Sequence, residues 1–253
     1  MDKEGYNRLI EASKGFEEIS LGEMSKIKLM NRVDTKYITS FDKAIDLLEL
    51  MKKHYYVLSI NDKRALRYNN IYYDTIDYEM HRDHHNRRLP RQKVRVRKYL
   101  DSGEMFLEIK NKTNKRRTIK KRIKIESLED VNNNAGFLEE YSNYRLQDLS
   151  PSIENKFYRL SLASKSLNER LTIDFFLNFY NHRTEMVNKL SGISIIELKQ
   201  EGRAISKAKE LFLKLRIKQN GFSKAAIGQS ITNPNAKQNR FKSKINYIWK
   251  LQN

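Results

Sequence analysis

The stretch KVRVRKYL, residues 93–100, alternates charged and apolar side chains. In an extended strand successive side chains point to opposite faces, so Lys93, Arg95 and Arg97 share one face and Val94 and Val96 the other. The valine face can pack on a core. A face of three stacked cations needs either water or a strongly anionic partner. The pattern recurs along the chain. Arg32, Asp34 and Lys36 share a face, as do Glu108, Lys110 and Lys112, opposite Leu107 and Ile109. Lys120 and Arg122 oppose Ile119, Ile123 and Ile125; Arg170, Thr172 and Asp174 oppose Leu171 and Ile173; Glu197 and Lys199 oppose Ile196 and Leu198.

Three alternating runs, 91–100, 104–113 and 116–125, are joined by SGE and NKR, which predicts an antiparallel meander. Further strands are expected at 32–39, 54–60, 66–75, 155–164, 169–179 and 193–199. Helices are expected at 5–30, 41–53 (N-capped by Ser40), 128–149, 203–217 and 237–250. An open sheet with one solvated face would satisfy the alternation. Like charges side by side on neighbouring strands are destabilising, however, and become tolerable when a polyanion neutralises them. Closing the sheet gathers the charges in a lumen and leaves the apolar face to helices. The expected class is therefore α+β: an antiparallel eight-stranded closed β-barrel, a tunnel with a basic lumen and helices packed on the outside. A single domain over 1–253 is expected, with an N-terminal helix at about 5–30, the barrel at about 31–230 and a C-terminal helix at about 237–250.

Charge supports this reading. Lys and Arg number 50 against 31 Asp and Glu, a net charge of +19, and residues 87–124 alone hold sixteen basic and three acidic side chains. Such a surplus calls for a polyanion: nucleic acid, an anionic membrane or polyphosphate. The chain has no cysteine, which excludes disulfides and thiolate metal sites. The start MDKEGYNRLI lacks the pattern of a secretion signal, and no apolar run approaches the ~20 residues of a membrane span, so the chain reads as soluble and cytoplasmic. Arginine supplies planar bidentate donors for phosphate and lysine a compact charge. Carboxylates among such cations suit a divalent metal bridging phosphate oxygens. His81, His84 and His85 read as a polar loop rather than a metal site, Asp74 as a turn or lumen residue, the tyrosines of 54–60 and 66–75 as strand packing, and the basic tail as docked on the barrel through Phe241, Ile245 and Trp249.

NRVDTKYI, NNIYYDT, KVRVRKY, FLEIKNKT, IKKRI, ERLTIDF, IIELK and GFSKAAIG occur in an order that resembles the VTC domain, the polyphosphate polymerase domain of the vacuolar transporter chaperone complex, within the triphosphate tunnel metalloenzyme (CYTH-like) superfamily. The resemblance covers roughly 25–230. It implies a basic tunnel that binds triphosphate or polyphosphate with Mn²⁺ or Mg²⁺ and transfers the ATP γ-phosphate to a polyphosphate chain. Carried over residue by residue, it implies catalytic roles for Lys36, Arg95, Arg97, Lys110, Arg159 and Arg170. It implies phosphate contacts from Lys120, Arg122 and Lys224, to which the shared faces add Arg32, Lys93, Lys112 and Lys199. Glu197 matches the metal-binding glutamate, with Asp34 as its companion. The expected partners are ATP, triphosphate or polyphosphate, with no nucleic acid and no membrane span; a membrane-protein partner is left open. A triphosphatase, a non-catalytic polyphosphate-binding module and an RNA-binding protein are the alternatives. Two departures stand out: Arg32 occupies an acidic position of the superfamily's first strand, and Gly221 occupies the first lysine of its K-F-S-K element.

Overall fold

The computed structural model describes residues 3–27, 32–115, 117–202 and 205–252. The end of the expected first helix (28–30), the start of the expected barrel (31), residue 116 of the third run and residues 203–204 lie outside the described residues. Eleven strands are described: β1 (Glu17–Ile19), β2 (Arg32–Ser40), β3 (Tyr55–Leu58), β4 (Leu66–Asp74), β5 (Arg91–Tyr99), β6 (Met105–Lys112), β7 (Thr118–Ile125), β8 (Ser150–Ser164), β9 (Glu169–Asn181), β10 (Val187–Leu190) and β11 (Ile193–Glu201). The α-helices are α1 (Lys3–Ser13), α2 (Leu21–Lys26), α3 (Phe41–Met51), α4 (Glu79–His85), α5 (Asp130–Asn133), α6 (Ala135–Tyr141), α7 (Lys207–Lys214), α8 (Lys224–Thr232) and α9 (Lys242–Gln252). None is long and apolar enough to cross a membrane.

Eight strands form one antiparallel path, β2-β11-β9-β8-β4-β5-β6-β7, with β1, β3 and β10 attached at its side. The barrel is not closed by hydrogen bonds: among the described residues no ladder joins β2 to β7. The outer edge of β2 is taken instead by the segment before α8, where Asn220 N donates to Lys36 O at 2.9 Å and Gln219 bridges Tyr37. The other edge strand, β7, carries Lys120, Lys121, Arg122 and Lys124 and is exposed over most of its length. Lysine-rich edges resist pairing with another strand.

Two cores cover the outer face as expected. Leu9 of α1, Leu47 and Met51 of α3 and Phe212 of α7 pack on Leu162, Ile173, Ile196 and Leu198. Val131 and Leu138 of α5 and α6 pack on Val94, Val96, Leu107 and Ile109, the valine face of the opening stretch. A third core lies inside the curl, against the expectation that helices pack only outside. Phe222 and Ile227 enter with α8 against Ile153, Phe157, Leu177 and Phe179, and Ile245 and Ile248 of α9 join them.

A bulge makes room for this plug. The β8–β9 register slips by one residue beside Phe176, which adopts φ 53°. The extra residue flips the parity of β9. Its inward set changes from Arg170, Thr172 and Asp174 to Leu177 and Phe179, so one strand lines a charged half and an apolar half.

Local signals explain the other departures. The expected helix 5–30 is α1, β1 and α2. Gly15 at φ 79° ends the first turn run, and Ser20 with Glu23 forms a capping box that starts α2. The expected loop holding the three histidines is α4, whose first turn is fixed by Asp74 accepting from Met80 N (2.9 Å) and His81 N (3.0 Å). The tail docks as expected, with Tyr247 Oη 3.5 Å from Ile38 O.

A Cβ added at Gly228 would sit 2.6 Å from Phe179 Cδ1 and 2.9 Å from Ile153 Cγ2, closer than carbon atoms approach. Gly228→Ala is expected to destabilise the fold by ~1–3 kcal/mol through overpacking, read as a lower urea midpoint. Gly136→Ala on α6, where an added Cβ would meet nothing within 4 Å beyond its own stretch of helix, should not destabilise.

Candidate functional site

The concave face is built by register. Arg95 faces Glu108 across β5 and β6, and Glu108 faces Arg122 across β6 and β7. Arg95 Nε donates to Glu108 Oε2 at 2.8 Å, Arg95 Nη1 to Tyr72 Oη at 3.3 Å, and Lys120 reaches the other carboxylate oxygen. Burial pushes the Glu108 carboxyl up, but Arg95, Arg97 and Lys120 outweigh it and hold the group at about 2. Arg97 Nε donates to Asn70 Oδ1 at 2.9 Å, and the guanidinium lies over Tyr68.

On the facing wall Arg159 grips Asp174 through two bonds, 2.6 and 2.9 Å, and Lys224 closes on the same carboxylate. Burial raises the Asp174 carboxyl; Arg159 and Lys224 override it to about 2. Lys36 and Lys199 flank Glu197 at 3.5 and 3.9 Å. Burial opposes its charge too, but Lys36, Lys199, Arg159 and Lys224 hold its carboxyl well below the usual range.

The start of α8 spans the curl. Lys93 Nζ on β5 donates to Ser223 Oγ at 2.9 Å, while the next residue, Lys224, reaches Asp174 on β9. Lys36 on β2 depresses Lys93 on β5, and Glu197 on β11 acts on Lys110 of β6. The two ends of the open sheet therefore share one electrostatic space.

Three half-buried cations in it, Lys93, Arg97 and Lys110, have no carboxylate within 4 Å among the described residues. Burial, then Lys36 and Arg91, push Lys93 down to about 7. The Arg95 guanidinium and then burial push Lys110 down to about 6. Lys224 is pushed to about 8 by burial, against the pull of Asp174.

The remaining expected residues are less converged. Lys112 pairs in register with Arg91. Arg122 is exposed and lies across Phe106 at 4.6 Å. Arg170 donates to Met24 O at 3.1 Å. Arg32 clasps Asp34 at 2.6 and 3.2 Å on an exposed stretch of β2. Asn70, Tyr72 and Ser223 were not legible as site residues; they become so only because their strands and cap lie beside β5.

A metal can be weighed against these carboxylates. No group of three or more His, Cys, Asp or Glu converges among the described residues. Glu108 and Asp174 are bonded to their cations, and Asp34 is held by Arg32. Glu197 differs: its contacts are long for hydrogen bonds, and its side chain is 21% exposed. Mg²⁺-type ions are commonly held by one or two carboxylates with phosphate oxygens and water completing the shell. Glu197 fits that arrangement; Asp34 fits it only when released from Arg32. The histidines do not contribute. All three rings stand edge-on to Phe241, with His81 Nε2 2.9 Å from Lys237 O and Arg240 N donating to His85 Nε2 at 3.2 Å.

Fold and site together define an α+β protein with a large antiparallel sheet whose cation-bearing face meets the start of α8. The family model of the VTC domain matches residues 31–232, and the chain belongs to that family. No curated protein matches it. Among solved structures it is similar to an adenylyl cyclase from Hippeastrum described as having a dominant triphosphatase activity (13% identity, 79% of this chain and 96% of that one, TM-score 0.48). It is also similar to a Vibrio parahaemolyticus protein assigned as an adenylate cyclase (12%, 78% and 96%, 0.45) and to the PH1819 protein of Pyrococcus horikoshii (12%, 79% and 98%, 0.45).

Between about pH 6 and its ordinary 10.5, the unfolded chain binds a proton that folded Lys110 does not. This group therefore makes stability rise with pH across that window and costs most at the acidic end. Lys110→Met is expected to raise the thermal midpoint of the unliganded protein, more at pH 6 than at pH 8. An equal gain at both pH values would refute the depressed ammonium.

Proposed function

We propose that the protein is a phosphotransferase acting on polyphosphate or a nucleoside triphosphate with Mn²⁺ or Mg²⁺, and that it builds polyphosphate from ATP. The observation that carries the reading is the unneutralised trio Lys93, Arg97 and Lys110 on one concave face. A bound chain of phosphates would supply the missing counter-charge, and membership of the VTC family supports that choice of anion. Nucleic acid is the weaker reading, because membership of the VTC family points to chains of phosphate.

The roles divide by how each cation is held. Arg95 and Arg159 are fixed by Glu108 and Asp174, so they meet phosphate without reorganising, the condition under which charge stabilises a transition state most. Lys36, Arg97, Lys110 and Arg170 complete the grip on the transferring group. Lys93, Lys120, Lys199 and Lys224, with Arg32, Lys112 and Arg122 toward the rims, hold the rest of the chain. Glu197, with Asp34 once freed from Arg32, would hold a divalent ion, which would supply positive charge to offset that of the phosphoryl groups. An oxygen at the end of the polyphosphate chain attacks the γ-phosphorus, the bond to the β–γ bridging oxygen breaks, and ADP leaves. No protein nucleophile is needed. Water in place of the chain end makes the same site a triphosphatase.

Purified protein incubated with ATP and Mn²⁺ should yield chains that lengthen with time; free phosphate alone would select the triphosphatase, and neither product the binding module. Glu197→Gln should lower turnover by about a hundredfold or more, while metal-free tripolyphosphate binding survives or tightens because a repulsive charge is gone. Normal turnover in that variant would make Glu197 a counter-ion to Lys36 and Lys199. Arg97→Ala should weaken tripolyphosphate about ten- to a hundredfold, one charge-assisted contact at ~1.5–3 kcal/mol. Tight binding of an RNA oligonucleotide that ignores this substitution would favour the nucleic-acid alternative.

A further inference from the structure

The chain between α7 and α8 crosses from β2 to β5. Asn220 N donates to Lys36 O on β2 at 2.9 Å, and Lys93 Nζ on β5 donates to Ser223 Oγ at 2.9 Å. Both ends of the crossing are thus tied to residues of the cation-bearing face. Gly221 lies between the two ties and is exposed. It stands at the first lysine position of the K-F-S-K element, so the crossing brings no cation of its own there. Another element does. A Cβ added at Gly221 would lie 3.9 Å from Lys244 Nζ of α9, and among the described residues it would meet no other atom within 4 Å beyond its chain neighbours.

Packing brings α9 to this place. Ile245, the residue after Lys244, is buried in the same core as Phe222, the residue after Gly221. Lys244 is half-buried, and no carboxylate lies within 4 Å of it among the described residues. Burial and then the Arg87 guanidinium lower its proton affinity. After burial, the charges that depress the His84 ring include Lys93, Arg91 and Lys244. The ammonium of α9 therefore shares the space of the cations at the start of β5.

We propose that Lys244 is a phosphate-binding residue, a cation that α9 supplies to this face at Gly221; the proposal rests on the phosphate reading of the face. Lys244 lies beyond residues 31–232, the span that matches the family model. Its situation is that of Lys93, Arg97 and Lys110: an underneutralised, half-buried charge beside others of the same sign, which an anionic chain would offset. Its three donors would meet the non-bridging oxygens of a phosphate lying beside Lys93 and Ser223, as charge-assisted hydrogen bonds. The C-terminal helix is then part of the binding site as well as a support for the core.

The test moves the charge from one segment to the other. Gly221 has no positive φ, and its added Cβ makes only an ordinary contact, so a lysine side chain fits there. Binding of long-chain inorganic polyphosphate, which can touch the whole row, is measured by calorimetry. The proteins are the unsubstituted chain, Lys244→Met, the double variant Gly221→Lys with Lys244→Met, and Arg97→Ala. Methionine keeps most of the stem and removes the charge. Lys244→Met should weaken binding about three- to tenfold, a modest loss because water reaches this site. The double variant should recover most of it, which undocking of α9 could not produce. Unaltered binding by Lys244→Met, with Arg97→Ala weakened, overturns the assignment and leaves the phosphate reading standing. A loss that the lysine at 221 does not restore also overturns it, since Lys244 would then act only by seating α9. If Arg97→Ala too bound as tightly as the unsubstituted chain, the phosphate reading itself would fall, and the assignment with it.

Discussion

The clasp of Asp174 by Arg159 and Lys224 is the constraint on which the rest of this structure depends. It ties β8, β9 and the first residue of α8 together inside the curl. It sits immediately before the bulge at Phe176, where β9 stops presenting charges and starts presenting Leu177 and Phe179. A carboxylate taken from water here would be prohibitive alone, and breaking such a buried pair typically costs ~3–5 kcal/mol. With two cations on it, Asp174 marks where the face of β9 that meets α8 changes from polar to apolar.

The same logic grades the cations. Glu108 immobilises Arg95 and Lys120, and Asp174 immobilises Arg159 and Lys224. Glu197 is shared loosely between Lys36 and Lys199. Among the described residues Lys93, Arg97 and Lys110 have no carboxylate within 4 Å, and burial and neighbouring cations lower the proton affinity of all three. The face thus combines fixed donors with underneutralised ones. An arriving polyanion would find the first already aimed and would restore the protons of the second. The open seam between β2 and β7 follows from the same surplus, since both edges bear cations and the β2 edge is already occupied by Gln219 and Asn220.

Much of this was legible from alternation. Period-two patterning depends only on strand geometry, so it correctly assigned Lys93, Arg95 and Arg97 to one face and Val94 and Val96 to a core under helices. The order of the eight motifs pointed to the family whose model matches residues 31–232. Helix boundaries were legible where caps are explicit, as at Ser40, and were misread where a capping box at Ser20 went unused. The three histidines read as a loop because α4 is short and held by Asp74, a partner outside its own sequence pattern.

The sequence by itself determined which side chains share a face and how strongly basic that face is, because these follow from local geometry and composition. Only the tertiary structure decided which cations are neutralised. Arg95 meets Glu108 across a hairpin, Arg97 meets Asn70 from β4, and Lys93 meets Ser223 from 130 residues away. It likewise decided that a one-residue bulge would turn β9 inside out and that the sheet would curl without closing. Those outcomes depend on register between strands distant in the chain, and a shift of one residue, invisible in a period-two pattern, exchanges every inward side chain for an outward one.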